Sequence, residues 1–350
     1  MKRNVWIRSA IAIVVAGALT AIGLGFYAFR MLQPVQPAGP EVHISVLPGM
    51  GAGEIAELLE NNGIIRDAFM FKLYLKSKGE GSRFQAGEYA MAPGMSLEQI
   101  VKKLNNGETV KEETVRFVIP EGFTVTQIAD RLSEQNGFDR DHILQIANEK
   151  AAFSSRWTAE IPDDPRIRYR LEGYLFPETY EMHKGASERE IVERMVKELD
   201  NKLAQLPADW PDRLKQSGLT FHQMLTLASL VEREVAVDYE RPIVAGVIYN
   251  RLKRNMLLQI DATVLYALGQ SKERVDYKDL EIDSPYNTYR YPGLPPGPIA
   301  NPGLASIRAA LYPAETNYLF YVTKKDGTQE HYFAETLEQH LQNIAKSEKR

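Results

Sequence analysis

The chain contains no cysteine, which excludes structural disulfides and metal sites built from thiolates. Its formal net charge is −4 over 350 residues, so it lacks the excess of basic residues that is typical of a nucleic-acid-binding domain. Histidine is scarce as well: the six histidines are scattered, and none forms a His-x-x-x-His or Glu-x-x-His pair on a predicted helix. We therefore expect no nucleic acid partner, no metal and no cofactor.

Charge is absent from one stretch near the N-terminus, residues 9–29 (SAIAIVVAGALTAIGLGFYAF). As a helix this stretch would be about 31 Å long, which matches the hydrocarbon core of a membrane. Three of the first eight residues are basic, and Arg30 alone follows closely. The positive-inside rule predicts a cytoplasmic tail at 1–8, a single transmembrane helix at 9–29 and an extracytoplasmic (periplasmic) remainder. A cleaved signal peptide is the alternative, but its apolar region is normally shorter.

This pattern predicts that the lipid bilayer is a partner through residues 9–29 and that the protein resides in the inner (cytoplasmic) membrane. Residues 30–40 follow the predicted helix and carry three prolines. A proline-rich segment of this kind is semi-rigid, so we interpret it as a spacer between the membrane and the folded part of the chain.

A pattern of an apolar residue, a proline and a glycine, followed by a short amphipathic helix, occurs three times, at 46–63, 91–107 and 118–137. In each copy an isoleucine follows the glycine by six residues, a leucine comes four residues later, and Asn-Gly ends the copy as a helix C-cap would. Another helix is predicted at 68–79, with a strand after it. Residues 41–112 are therefore predicted to form a strand, helix, helix, strand unit.

This unit resembles the LysM fold, a module that binds glycans containing N-acetylglucosamine. A small α+β spacer that binds nothing is the alternative. The third copy opens a new domain at 113–350, because a charged stretch separates it from the second copy. That domain is predicted to be mainly helical, and an Asp-Gly turn between two apolar runs in 317–335 predicts a β-hairpin. The predicted fold class is thus α+β, with a transmembrane helix, a LysM-like module and a mainly helical domain.

Two glutamates, Glu232 and Glu234, lie in an otherwise apolar helical run, LASLVEREVAV (227–237). On a helical wheel Glu234 falls within the apolar stripe, whereas Glu232 falls on the opposite side. Desolvation would raise the pKa of Glu234, as a general acid near neutral pH requires. The alternative is a buried structural Glu234 bound to an arginine or to backbone amides. Glu232 is predicted to be solvated or ion-paired, and it is the second choice for the acid.

The end of this helix, EREVAV, resembles the Glu-Ser-Ala step that ends the catalytic helix of goose-type lysozymes and soluble lytic transglycosylases. Three longer motifs, at 171–180, 240–269 and 284–311, together resemble the endolytic murein transglycosylases (the MltG/YceG family). The resemblance implies a lyase that cuts the MurNAc–GlcNAc β-1,4 bond inside nascent peptidoglycan strands and leaves a 1,6-anhydroMurNAc end. It implies that 113–350 is the catalytic domain, that Glu234 is its single general acid/base, and that cell-wall synthases are partners.

Two segments carry the candidate substrate-binding residues. The first has Gln259, Asp261 and Thr263 just before or within an apolar helix, where Asp261 either caps the helix or binds a sugar hydroxyl. The second is a loop rich in proline and aromatic residues, which presents Tyr286, Asn287 and Tyr289. Tyrosine rings suit sugar faces, and asparagine suits hydroxyl and acetamido groups.

Asn301 and Pro302 are predicted to be the N-cap and the first residue of the next helix, so Asn301 is interpreted as structural. Glu172 and Glu178 are alternative acids that we rank below Glu234. Two other functions remain open at this point. A hydrolytic muramidase would add a second carboxylate, such as Asp261 or Glu178. A non-catalytic scaffold would only bind peptidoglycan.

Overall fold

The computed structural model of the chain describes residues 2–110, 113–269, 272 and 275–348. Within these residues the chain forms thirteen α-helices and six β-strands. The strands pair into three separate two-stranded antiparallel sheets, so helices supply most of the framework. The chain divides into two compact units, Met1–Glu112 and Glu113–Arg350.

The first unit begins with helix α1, Lys2–Met31. Its segment Ile13–Met31 is long and apolar enough to cross a membrane, with a mean hydropathy of 1.7 and none of it buried by the rest of the protein. The candidate span overlaps the predicted 9–29. Because an apolar helix that packs against nothing is unfavourable in water, this finding is consistent with membrane anchoring.

The rest of the first unit is a compact α+β module. Its elements are β1 Val42–Val46, α2 Ala52–Asn61, α3 Ala68–Lys78, β2 Gly87–Met91 and α4 Leu97–Asn106. β1 pairs with β2 in antiparallel register, with Ile44 opposite Tyr89. The predicted order of strand, helix, helix and strand is thus confirmed, while the relationship to LysM modules remains a prediction.

Helix α4 shows how the repeated sequence pattern sets the two ends of a helix. Ser96 accepts a hydrogen bond from the backbone of Gln99, and the Gln99 side chain accepts one from the backbone of Ser96 at 2.8 Å, which closes a capping box. The helix ends at Gly107, whose φ of 62° favours glycine. The isoleucine and the leucine that define the pattern are buried in all three copies: Ile55, Leu59, Ile100, Leu104, Ile128 and Leu132.

The second unit contains the third copy of the pattern and the remaining elements. They are β3 Thr114–Val118, α5 Val125–Asn136, α6 Arg140–Asn148, β4 Thr179–His183, α7 Glu188–Leu203, α8 Trp210–Ser217, α9 Phe221–Glu234, α10 Arg241–Lys253, α11 Asp261–Leu268, α12 Leu304–Leu311, β5 Phe320–Thr323, β6 His331–Ala334 and α13 Leu337–Glu348. β3 pairs with β4, and β5 pairs with β6. The β5–β6 pair confirms the predicted hairpin.

Helix α9 lies at the centre of the second unit. Ten of its fourteen residues are buried, and it packs against α10, α11 and α12. A helix that is buried on nearly all sides is expected to be apolar all round, and most of α9 follows this rule. His222, Thr226 and Ser229 are buried polar residues of this helix, and its three charged residues, Glu232, Arg233 and Glu234, all lie in its last turn.

Candidate active site

Glu234 is the last residue of α9. The helix stops there because Val235 adopts an extended conformation, with φ −118° and ψ 123°. The Glu234 side chain lines a cavity of about 510 Å³. The walls of this cavity come from α10, the segment before α11 and its first residue, the loop that follows α11, the hairpin β5–β6 and α13. They include Arg251, Gln259, Asp261, Tyr289, Tyr321, Thr323, His331 and His340.

The electrostatic surroundings of Glu234 favour its protonated form. Tyr321 donates a hydrogen bond to Glu234 Oε2 at 2.8 Å. Desolvation by burial raises the pKa of the Glu234 carboxyl, and the negative charge of Asp261 raises it further. The Tyr321 hydrogen bond and the charges of His331 and Arg233 oppose this shift, but the net direction is upward. A carboxyl group with a raised pKa can act as a general acid near neutral pH.

Asp261 faces the same cavity from the first residue of α11. It does not cap the helix, because Ile260 is the N-cap residue and no side-chain cap hydrogen bond is present there. Asp261 instead accepts a hydrogen bond from the Tyr289 hydroxyl at 2.5 Å. Gln259 is exposed in the cavity and has a positive φ of 52°. Gln259, Asp261 and Tyr289 are therefore brought together with Glu234.

The hairpin supplies Tyr321 and His331, two cavity residues that no sequence pattern indicated. His331 is held by Glu240, which accepts from its backbone N–H at 3.0 Å and lies 2.7 Å from its Nδ1. The His331 ring also packs edge-on against Tyr321, with 5.5 Å between ring centroids. When Nδ1 donates to Glu240, Nε2 is the ring nitrogen left for the cavity.

Comparison with known proteins assigns the chain to a family. The profile of the YceG-like family matches residues 44–346. The chain belongs to the YceG-like family. A Bacillus subtilis (strain 168) protein named endolytic murein transglycosylase is 38% identical over 327 residues, which cover 91% of this chain and 88% of that protein.

Two further relatives agree with this assignment. An endolytic murein transglycosylase of Streptococcus pneumoniae is 32% identical over 341 residues, which cover 91% of this chain and 61% of that protein. The crystal structure of a YceG-like protein from Listeria monocytogenes aligns with a TM-score of 0.58 at 37% identity, covering 86% of this chain and 98% of that one.

Three predicted substrate-binding residues of this YceG-like chain lie outside the Glu234 cavity. Thr263 is fully buried, and its hydroxyl bonds the Ile260 carbonyl at 2.7 Å. Tyr286 is buried, and its hydroxyl accepts from the Arg168 backbone N–H. Asn287 is fully buried and donates to two carbonyls of the preceding loop. These side chains hold the loops in place, and their contact with substrate stays a prediction.

Glu232 also differs from the prediction in part. Only 6% of its side chain is exposed, so it is not solvated. Its carboxylate lies 3.3 Å from Arg241 Nη1 and accepts from the backbone N–H of Gly303 at 3.0 Å. The alternative of an ion-paired residue is correct. Glu232 therefore joins the end of α9 to α10 and to the start of α12.

The two lower-ranked acids, Glu172 and Glu178, do not line the Glu234 cavity. Glu172 is fully buried and accepts hydrogen bonds from the Val125 backbone, the Tyr266 hydroxyl and the Asn301 amide. Burial raises the pKa of Glu172 to about 8. Glu178 hydrogen-bonds Lys202, which lowers its pKa. Glu178 is therefore ionised and ill suited to donate a proton.

Asn301 has a structural role that differs from the predicted cap. Helix α12 begins at Leu304 with Gly303 as its N-cap, so neither Asn301 nor Pro302 occupies the predicted position. Asn301 is fully buried and accepts from the Leu175 backbone at 2.9 Å while its amide donates to Phe123 and Glu172. It thus joins two distant loops. Among the described residues, no group of three or more His, Asp or Glu side chains could hold a metal ion.

Proposed function

We propose that this chain is a membrane-anchored endolytic peptidoglycan lytic transglycosylase. It cleaves the MurNAc–GlcNAc β-1,4 bond within nascent glycan strands and leaves a 1,6-anhydroMurNAc end. The observation that carries the proposal is a desolvated Glu234 in a cavity of about 510 Å³, in a chain that belongs to a family with relatives named for this activity. Glu234 is its single general acid/base, and no cofactor takes part.

The proposed reaction needs one proton donor that later becomes a proton acceptor. Protonated Glu234 donates to the leaving O4 of GlcNAc as the glycosidic bond breaks. The resulting carboxylate takes the proton of the MurNAc O6 hydroxyl, whose oxygen attacks C1 and closes the anhydro ring. Because the nucleophile belongs to the substrate, no activated water and no second carboxylate are required, in contrast to a glycoside hydrolase.

The contacts of Glu234 support a carboxyl group that first donates a proton and then accepts one. Tyr321 engages Oε2, and among the described residues no hydrogen-bond donor engages Oε1, which is left for the substrate. Tyr321 also stabilises the carboxylate that forms after the first proton transfer. Gln259, Asp261 and Tyr289 line the same cavity and offer an amide, a carboxylate and an aromatic ring to the sugars.

The location and the partners form part of the same proposal. The apolar segment of α1 anchors the chain in the inner membrane with its N-terminus in the cytoplasm, because basic residues precede that segment. The substrate is peptidoglycan on the outer side, and cell-wall synthases that produce nascent strands are the protein partners. Residues 41–112 act as a LysM-like module that binds glycan.

A hydrolytic muramidase is the second candidate, because Asp261 is a second carboxylate in the Glu234 cavity. It could activate a water molecule in an inverting or retaining hydrolysis. The two reactions give products of different mass, since an anhydro end is lighter than a reducing end by one water. Mass spectrometry of the digested strands therefore decides between them, and a hydrolytic product would overturn the transglycosylase proposal.

The substitution Glu234→Gln tests the acid/base role. Glutamine keeps the size of the side chain and can accept from Tyr321, but it cannot donate the catalytic proton. General acid–base catalysis is typically worth about 10²–10⁴-fold, and one group serves both steps here. We expect the rate of anhydro product formation to fall by about 10⁴-fold or more, as measured by mass spectrometry of muropeptides.

Two control variants make this result specific. Glu178→Gln removes a carboxylate that pairs with Lys202 and does not line the cavity, so its activity should equal that of the wild type. Glu232→Gln disturbs the buried pair with Arg241 and should lower stability by about 1–3 kcal/mol while the folded fraction still forms anhydro product. An active Glu234→Gln together with an inactive Glu232→Gln would contradict the proposal.

A further inference from the structure

A second cavity, of about 260 Å³, adjoins the Glu234 cavity. Arg233 lines both cavities. At the start of α11, Asp261 lines the Glu234 cavity and the next residue, Ala262, lines the second one. A polymer bound across Glu234 can therefore extend one of its substituents into the second cavity.

Arg168 is fixed in the second cavity by three contacts. Its Nη1 donates to the Tyr266 carbonyl at 2.6 Å, its backbone N–H donates to the Tyr286 hydroxyl at 3.3 Å, and its guanidinium lies over the Tyr266 ring at 5.5 Å. A Cβ on Gly269 would come within 2.7 Å of Nη2, so the glycine leaves room for the guanidinium. The Nε and Nη2 groups make no hydrogen bond to any described residue and remain available to a ligand.

The charges around this cavity favour an anion. Arg233 is a second guanidinium in its wall, held by a 3.2 Å hydrogen bond to the Gly122 carbonyl. The first turn of α5 also lines the cavity, and the N-terminus of a helix carries partial positive charge. Asp130 is the one acidic residue among the described residues of the lining, and its carboxylate is paired with Arg140 at 2.5 Å.

We propose that the second cavity binds a carboxylate of the stem peptide that is attached to MurNAc, next to the bond that Glu234 cleaves. This inference rests on the proposed function, because that function supplies the substrate. A stem peptide begins at the lactyl group of MurNAc and carries free carboxylates. The planar guanidinium of an arginine that is held in one position can donate two parallel hydrogen bonds to the oxygens of a carboxylate. The cavity would therefore favour strands that still carry their peptides.

The experiment uses the full-length protein in detergent and two substrates. One is glycan strands with intact stem peptides. The other is strands from which an amidase has removed the peptides and in which the lactyl carboxylates exposed by that hydrolysis have been converted to amides. We expect Arg168→Gln to raise the KM for peptide-bearing strands by roughly 10-fold, the usual scale for a hydrogen bond to a charged group. The KM for stripped strands and the kcat for both substrates should stay unchanged.

Arg166→Gln is the matched control, since Arg166 is exposed on the same segment and bonds Asp164 rather than the cavity. Its kinetics should equal those of the wild type on both substrates. Arg168→Lys keeps the positive charge but lacks the planar guanidinium. Compared with Arg168→Gln, it should recover only part of the affinity for peptide-bearing strands. An equal effect of Arg168→Gln on both substrates, or no effect on either, would overturn the proposal.

Co-sedimentation of the same proteins with both kinds of strand measures binding without cleavage. Wild type should bind peptide-bearing strands more tightly, and Arg168→Gln should lose this preference. If the wild type bound with this preference but formed no anhydro product, the proposed function would fail and the carboxylate site would stand. Wild type that binds both strands equally would overturn the carboxylate site alone.

Discussion

At the scale of single residues, the carboxyl group of Glu234 is controlled by neighbours from separate parts of the chain. Burial and Asp261 favour the proton, whereas Tyr321 and His331 favour the carboxylate. The net direction of the pKa shift is upward, so the carboxyl group is favoured as a proton donor, while Tyr321 and His331 stabilise the carboxylate that must later accept a proton. The balance can be shifted in either direction by a single substitution.

Tyr321→Phe and Asp261→Asn should shift the pH dependence of kcat in opposite directions. The acid works only when protonated, so activity declines as the pH rises through the pKa of Glu234. Removing the Tyr321 hydrogen bond raises this pKa and moves the decline to higher pH. Removing the charge of Asp261 lowers the pKa and moves the decline to lower pH. Rates measured between pH 4 and 9 test this, and shifts of the same sign would contradict it.

Glu172 should make the stability of the folded protein depend on pH. Its pKa is about 8 in the folded state, against an ordinary value of 4.5. Between these values the folded state keeps a proton that the unfolded chain releases, so the free energy of unfolding falls as the pH rises, by up to about 1.4 kcal/mol per pH unit. Stability is therefore greatest below this window and is lost as the pH approaches 8.

Glu172→Gln should remove most of this slope. The glutamine oxygen can accept from Val125 and Asn301, and its amide can donate to the Tyr266 hydroxyl oxygen, so the buried hydrogen bonds are preserved. Unfolding by denaturant at pH 5, 6.5 and 8 measures the slope for the full chain and for the variant. A variant with the wild-type slope would show that Glu172 is not the titrating group.

At the scale of elements, α9 and the hairpin β5–β6 form the site together. α9 presents Glu234 at its end, because the chain turns away at Val235. Tyr321 and Thr323 alternate on β5, and they lie opposite Phe333 and His331 on β6, so these four side chains share one face of the hairpin. Tyr321, Thr323 and His331 on that face line the Glu234 cavity.

The module at 41–112 carries a prediction of its own. If it binds glycan, deleting it should weaken co-sedimentation of the protein with purified peptidoglycan by roughly 10-fold or more, since a second binding site on the same polymer increases avidity. The circular dichroism and the unfolding transition of the remaining unit should be retained, because that unit has its own core. Unchanged co-sedimentation would identify the module as a spacer.

At the scale of the whole molecule, the orientation of α1 determines whether the enzyme meets its substrate. Basic residues precede the apolar segment, so the C-terminus should lie outside the cytoplasm. A reporter that is active only outside the cytoplasm, fused after Arg350, should therefore be active. A silent reporter, with activity from a cytoplasmic reporter at the same position, would show the opposite topology. The enzyme could then not reach peptidoglycan.

Local sequence patterns predicted helices, a hairpin and the apolar surroundings of Glu234. The repeated glycine, isoleucine and leucine spacing predicted three helices with buried Ile and Leu, since cap and period are local properties. The Asp-Gly turn predicted the hairpin in the same way. Helical periodicity also placed Glu234 against apolar neighbours, and its pKa is raised for the expected reason, which is desolvation.

Contacts between distant residues were decided only by the tertiary structure. Thr263 and Asn301 have side chains that suit sugar binding or capping, yet Thr263 accepts from the backbone of Thr288 and Asn301 accepts from the backbone of Leu175, both distant in sequence. Glu232 lies on the predicted polar side of α9, but Arg241 and Gly303 cover it. Tyr321 reaches Glu234 across 87 positions of sequence. A polar side chain can be buried in the core or can line a cavity. The packing of elements that are distant in sequence determines which of the two it does.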